Sequence, residues 1–266
     1  MRSPAEADTV VLSTPGADGL ELEVSGARIV LRHNLGVRDL DNDLAGRLAA
    51  EMTASGLTDN GLFERLFAGV VTSTVDDPAL AWSAFYRNTL DRLTAEPASR
   101  GSIAEFAPIY RRARSLVRGS RVLDLASCFG FLPLLLVGDG LDVIASDLSL
   151  PSMRLLSAMD GRVRCCCCAA ESLPFTDGAV DTVLAVHLLE HVDLPTASQV
   201  LSEAIRVARR RVVVAVPYED EPDAAYGHVR TLDHGALEAL GSGSGLRFEV
   251  IDSDGGWLIL DHAKRR

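Results

Sequence analysis

The chain changes its hydrophobic texture near residue 119. Before it, LELEVSGARIVLRH (20–33) places two apolar-rich runs around Ser25-Gly26, which predicts a β-hairpin. Apolar residues then recur at helical spacing over about 38–55, with Leu40, Leu44, Leu48 and Met52 on one stripe, over 60–71, and over 78–94 after Asp77-Pro78. Glu96-Pro97 to Gly101 reads as a break, and 103–118 as an arginine-rich helix ending at Gly119. Beyond that point short apolar runs alternate with helical patterns. The runs are VLDLAS (122–127), LDVIAS (141–146), RVRCCCC (162–168), VDTVLAV (180–186) and RVVVAV (211–216). Near-continuous apolar strands alternating with helices predict a parallel sheet with helices on both faces. A short helix near 233–240 precedes LRFEVID and WLILDH, whose spacing suits an antiparallel hairpin closing the sheet. The expected organisation is an N-terminal hairpin-plus-helices region over 1–100 and an α/β domain over 101–266.

Composition narrows the chemistry. With 26 basic against 37 acidic residues the net charge is −11, and both sides of residue 100 are acidic. No basic face is offered to nucleic acid. Of the basic residues only one is lysine, Lys264 in the terminal AKRR. Schiff-base enzymes, Walker-A nucleotidases and protein kinases each need a lysine inside the fold. No apolar run reaches the ~18 residues of a membrane span, and MRSPAEADTV has no apolar signal-peptide core. The five cysteines, Cys128 and Cys165 to Cys168, form no disulfide framework. Successive strand side chains alternate faces, so four adjacent thiols cannot converge on one metal. They are expected to be buried, reduced and metal-free, as in a cytoplasmic protein.

An open α/β sheet binds ligands at the carboxyl ends of its strands. The first strand ends D124-L-A-S-C-F-G130. The second ends at Asp147, where a carboxylate can accept hydrogen bonds from ribose hydroxyls. Ser149 is the better helix cap there. The stretch AAESLPFTDGAVDTVLAVHLLEHV (169–192) follows. These three elements resemble the class I S-adenosylmethionine-dependent methyltransferases, through Asp124, Gly130, Ala170-Glu171, Leu173-Pro174-Phe175, Asp177-Gly178, Asp181, Val183 and Leu189-Glu190-His191-Val192. The resemblance implies a Rossmann-like seven-stranded sheet over about 103–266 and S-adenosylmethionine as cofactor, with S-adenosylhomocysteine as product. It implies a cofactor site formed by Asp124, Ala126, Cys128, Gly130, Asp147, Leu148, Ala170, Glu171 and His187. This chain departs from the family at Ala126 and Cys128, which stand where glycines are usual, and at Ala169, where the adenine-binding acid would fall. Tyr110 or a nearby arginine could meet the methionyl carboxylate. A dinucleotide oxidoreductase would need G-x-G-x-x-G after the first strand, which LASCFGF does not supply.

A hydroxyl acceptor needs a proton acceptor, and histidine serves near neutral pH. His187 closes the fourth strand and His228 lies in YGHVR after the fifth, in a segment that resembles the family's substrate-facing loop; these two are the catalytic candidates. His191 reads as structural. The acidic loop Glu219, Asp220, Glu221, Asp223 has oxygen ligands that suit magnesium, but it reads more plainly as a solvated loop, and no metal site is assigned. Within the family, LRHNLGVRDLDNDLAGRL and WSAFYRNTLDRL, together with LASCFGF, resemble the actinobacterial enzymes that methylate the oligosaccharide of mycofactocin. The expected function is therefore O-methylation of a sugar hydroxyl. A small lipid or other small-molecule acceptor is the alternative, as is a catalytically silent module that binds a nucleoside or a partner protein.

Overall fold

In the computed structural model, the described residues are 8–95, 101–223 and 226–263. The break expected at Glu96-Pro97 and the lone Lys264 lie outside them. The chain divides into two compact units, Met1–Ala107 with Ala224–Gly227, and Pro108–Asp223 with His228–Arg266.

The first unit holds a small sheet and three helices. Strands β2 (Leu20–Ser25) and β3 (Arg28–His33) form the expected hairpin. A further strand, β1 (Asp8–Ser13), runs parallel to β3 on its other side. The sequence reading missed it because TVVLS has no apolar–polar alternation, although Pro15-Gly16 and Asp18-Gly19 mark a turn after it. Helices α1 (Asp43–Ala54), α2 (Asn60–Ser73) and α3 (Pro78–Thr94) follow. α1 starts later than its pattern suggested, because Val37–Asp39 forms a separate 3-10 turn. The stripe Leu40, Leu44, Leu48 and Met52 is buried throughout. Asp77 caps α3 by accepting from the Ala79 N–H, and Pro78 suits the first helical turn. Arg92 bonds both Asp41 and Asp43, and Asp43 also accepts from the Ile103 N–H at the start of α4 (Ser102–Leu116).

The second unit is built on a seven-stranded sheet. Its elements in chain order are β4 (Arg121–Leu125), α5 (Phe131–Gly138), β5 (Asp142–Asp147), α6 (Leu150–Met159), β6 (Arg164–Cys167), β7 (Val180–Val186), α7 (Leu194–Val207), β8 (Ala208–Val216), α8 (His234–Gly243), β9 (Arg247–Asp252) and β10 (Gly256–Asp261). Across the sheet the order is β6, β5, β4, β7, β8, β10, β9. β10 runs antiparallel to both neighbours and the other pairs are parallel. This is the Rossmann-like methyltransferase architecture. The central strands are buried on both faces, which is why their sequences are near-continuous apolar runs.

The cysteine run behaves differently from expectation. Cys167 is exposed and Cys165, Cys166 and Cys168 are only half-buried. The reason is position: β6 is the outermost strand and pairs with β5 alone. Cys166 and Cys168 still pack against the core, on the face opposite Cys167.

Two fastenings explain much of the motif-rich stretch. The buried Asp181 accepts from the N–H groups of Ser120 and Arg121 and from Arg209 and Arg210, which joins the bottoms of β4, β7 and β8. On α7, Arg206 donates to the carbonyls of Leu173 and Phe175 and to Glu203 and Asp177, while Glu203 accepts from the Leu173 N–H. The Leu173-Pro174-Phe175 segment is thus held to a helix that follows it in the chain.

Candidate active site

The strand order reverses at β4, between β5 and β7, so the carboxyl ends of β4 and β7 flank the switch point of the sheet. Both ends leave ordinary backbone geometry. Ala126, Cys128 and Gly130 have φ of 54°, 50° and 76°, and His187 has φ 53°. The left-handed region costs a residue with a Cβ about 1–2 kcal/mol. The chain therefore keeps the backbone of a glycine-rich loop while carrying a methyl and a thiol on it. At Gly130 a Cβ would run into the Leu156 side chain and force it to move.

The loop is fastened from the next strand. Asp147 at the end of β5 accepts from the Cys128 N–H and the Ser149 N–H, both at 2.8 Å, one on each carboxylate oxygen. Each oxygen keeps lone-pair capacity for another donor. Ser149 caps α6 as expected, accepting from the Ser152 N–H. Asp124 is buried, and desolvation, reinforced by the Asp147 charge, raises its carboxyl to about 7 although the Ser127 hydroxyl opposes the shift. Burial likewise holds the Tyr110 phenol well above its usual range, with Cys128 and Asp124 adding to the effect. Leu148 is exposed beside Asp147. Ala170 packs partly on the core and Glu171 is exposed.

The second cluster follows β7. The residues Leu189–His191 make one 3-10 turn, and the loop after β8 folds back on it through the Val229 N–H, which donates to the Glu190 carbonyl at 2.9 Å. The structure thereby brings His187 and His228 into one group with His191 and two glutamates. The rings of His191 and His228 meet edge-on at 4.8 Å between centroids. Nδ1 of His228 and a Glu219 oxygen are 2.8 Å apart, which orients the ring. Nδ1 of His187 lies 3.4 Å from Glu190, whose side chain is 1% exposed. Burial lowers His187 to about 4, with His228 and His191 contributing, and burial raises Glu190 to about 8. At neutral pH both are uncharged, so their contact is a long polar one rather than an ion pair. Neither carboxyl oxygen of Glu190 has a hydrogen-bond partner. Glu190, His191 and His228 offer one ligand atom each within 4.8 Å of one another.

Glu190 was overlooked as a chemical residue because it lies inside a family motif. The visible signal was its place in H-x-x-E-H, His187 to His191, a spacing that carries metal chemistry in other folds. Of the acidic loop, Glu219 is turned onto His228, while Asp220 and Glu221 are exposed.

Residues 123–216 match the family model described as a methyltransferase domain. No curated protein matches the sequence. Among solved structures, a SAM-dependent methyltransferase from Archaeoglobus fulgidus aligns over 58% of this chain and 92% of its own, with 17% identity and a TM-score of 0.50. A methyltransferase from Burkholderia thailandensis with bound 1,6-didemethyltoxoflavin and S-adenosylhomocysteine aligns over 59% and 77%, at 22% identity and TM-score 0.49. A putative methyltransferase of antibiotic biosynthesis from Anabaena variabilis aligns over 54% and 63%, at 20% identity and TM-score 0.46; the chain thus spans under two thirds of that protein. At these identities the structural likeness speaks to the fold. The chain thus holds a stretch that matches a methyltransferase domain, on a fold shared with SAM-dependent methyltransferases.

Proposed function

We propose that the chain methylates a hydroxyl of a neutral acceptor, a glucose-like unit of an oligosaccharide. The cofactor supplies an electrophilic methyl group when bound, and transfer is an in-line displacement that the protein promotes by orienting the acceptor oxygen. The loop 126–130 presents left-handed backbone for close approach. Asp147 would hold the ribose hydroxyls on its remaining lone pairs, and Leu148 would flank the adenine. The main chain of Ala170 and Glu171 takes the place of the missing acid at Ala169. The observation that carries the acceptor reading is the Glu219–His228 pair at 2.8 Å beside His187. A carboxylate orienting an imidazole is the arrangement of a general base, and His187, neutral at pH 7, positions the hydroxyl.

The oligosaccharide of mycofactocin is the particular acceptor favoured by the resemblance of 31–48 and 82–93, and the acidic chain has no use for a polyanionic one. The test offers S-adenosylmethionine and a glucose oligosaccharide to wild type, His228→Ala and His187→Ala, with product read by mass. Loss of His228 should slow turnover by ~10²–10⁴ while cofactor affinity holds within a fewfold. Undiminished activity in both variants would overturn the base assignment. Methylation of an amine or a lipid but no glycan would overturn the acceptor class. Absence of S-adenosylmethionine binding by calorimetry would leave the silent binding module.

A further inference from the structure

We propose that Glu190, His191 and His228 bind one divalent first-row transition-metal ion. The site stands on three features of the molecule. One is convergence: single ligand atoms from a turn after β7 and from the loop after β8 lie within 4.8 Å of one another. Two main-chain bonds set that approach, Val229 N–H to the Glu190 carbonyl at 2.9 Å and His228 N–H to the Asp223 carbonyl at 3.0 Å. Ligands about 2.1 Å from a tetrahedral ion stand roughly 3.4 Å apart, so side-chain torsions need to close up to about 1.4 Å from the 4.8 Å spread.

The second feature is the carboxyl of Glu190. Its side chain is 1% exposed, and neither oxygen has a hydrogen-bond partner. A buried polar group left this way costs about 1–3 kcal/mol. The contact with Nδ1 of His187, at 3.4 Å, supplies no close partner for either oxygen. A cation between Glu190 and the two imidazoles does.

The third feature is the outer ring of the site. Metal-binding histidines hold their second nitrogen on a carboxylate, which fixes the tautomer and strengthens the ligand. Glu219 does this to Nδ1 of His228 at 2.8 Å, so Nε2 would be the ligand atom. Two imidazoles and one carboxylate form a borderline ligand set, suited to manganese, iron, cobalt, nickel or zinc rather than to magnesium or calcium, which favour oxygen ligands. Three protein ligands leave positions open for an acceptor oxygen, and His191, exposed at the rim, gives a path of entry.

The catalytic consequence rests on the methyl-transfer reading; the site itself does not. Nε2 of His228 cannot both bind an ion and take a proton. With Glu190, His191 and His228 holding an ion, the ion would acidify a bound acceptor hydroxyl, whose proton would leave to water, and His187 would keep its positioning role.

The full chain, stripped with a chelator, is titrated with cobalt(II) and followed by its visible d–d absorption. One equivalent should bind with a spectrum of nitrogen and oxygen ligation. Affinity should fall at least tenfold in Glu190→Gln and in His228→Gln, and about 10–100-fold in Glu219→Gln. His234→Gln, which removes a surface histidine held by Asp252, should bind as wild type does. If Glu190→Gln does not fold, His191→Gln at the exposed rim replaces it. No saturable spectrum at one equivalent, equal losses in His234→Gln, or equal competition from magnesium would overturn the site. Calorimetry with S-adenosylmethionine on the same stripped protein separates the two proposals. Cofactor binding and methyl transfer without any cobalt site would remove the ion alone and return Nε2 of His228 to proton acceptance. A cobalt site without cofactor binding would remove the methyl-transfer reading alone.

Discussion

Cys128→Gly should stabilise the protein, while Gly130→Ala, two residues along the same loop, should cripple it. Both positions hold left-handed backbone, at φ 50° and 76°. Cys128 is exposed, so removing its side chain gives up little packing, and its N–H bond to Asp147 belongs to the backbone and survives. Relief of the left-handed conformation returns about 1–2 kcal/mol. The greater freedom of glycine in the unfolded chain takes back about 0.4–1. The net is a gain of about 0.5–1 kcal/mol, or roughly 1–4 °C in Tm at this size. Gly130→Ala incurs the same conformational cost and drives a methyl into Leu156, which adds about 1–3 kcal/mol of overpacking. Its total of about 2–5 kcal/mol should appear as a large fall in Tm or in soluble yield. Thermal unfolding of the two variants beside wild type, with calorimetric titration of S-adenosylmethionine, tests the pair. Cys128→Gly should bind the cofactor at least as tightly, since the thiol leaves the loop. A clear loss of Tm in Cys128→Gly, or a Gly130→Ala protein as stable as wild type, would refute the account of this loop as a glycine-type backbone carrying side chains.

Asp124 makes stability pH-dependent. Its carboxyl sits at about 7 in the fold against 3.8 in a free chain, so the folded state retains a proton that the unfolded state has released. Stability from this group is present below about pH 4, declines as pH rises to about 7, and is lost above it, a change of up to about 4 kcal/mol. Urea midpoints measured across that window should fall with pH in wild type relative to Asp124→Asn; parallel curves would contradict this. Arg206→Met should cost about 1–3 kcal/mol, because the Leu173 and Phe175 carbonyls lose their charged donor, and local hydrogen exchange over 171–178 should rise. Unchanged exchange there would show that α7 does not hold the segment. Asp147→Ala should weaken S-adenosylmethionine roughly tenfold to a hundredfold by calorimetry; unchanged affinity would remove Asp147 from the cofactor site.

The sequence by itself determined the strands and helices of the second unit. Strands buried on both faces read as near-continuous apolar runs, as VDTVLAV and RVVVAV do, and short polar caps such as Ser149 and Asp193 mark where helices can begin. It also determined the identity of the loop after the first of those strands, because Asp124, Gly130 and Asp147 are close in the chain. What it left open was everything that depends on which strand neighbours which. The cysteine run reads as a central strand, yet it lies at the sheet edge, and no local pattern distinguishes the two. The strand β1 gains its identity from pairing with β3, some twenty residues away. The motif around Leu173 reads along the chain only as part of a family resemblance, and the folded chain fastens it to Arg206 and Glu203. Most of all, the cluster of His187, Glu190, His191, Glu219 and His228 comes from two segments separated by a helix and a strand. Only the tertiary structure brings a buried glutamate and an oriented histidine together, because closure of that loop on the turn after β7 is a long-range event that no spacing along the chain encodes.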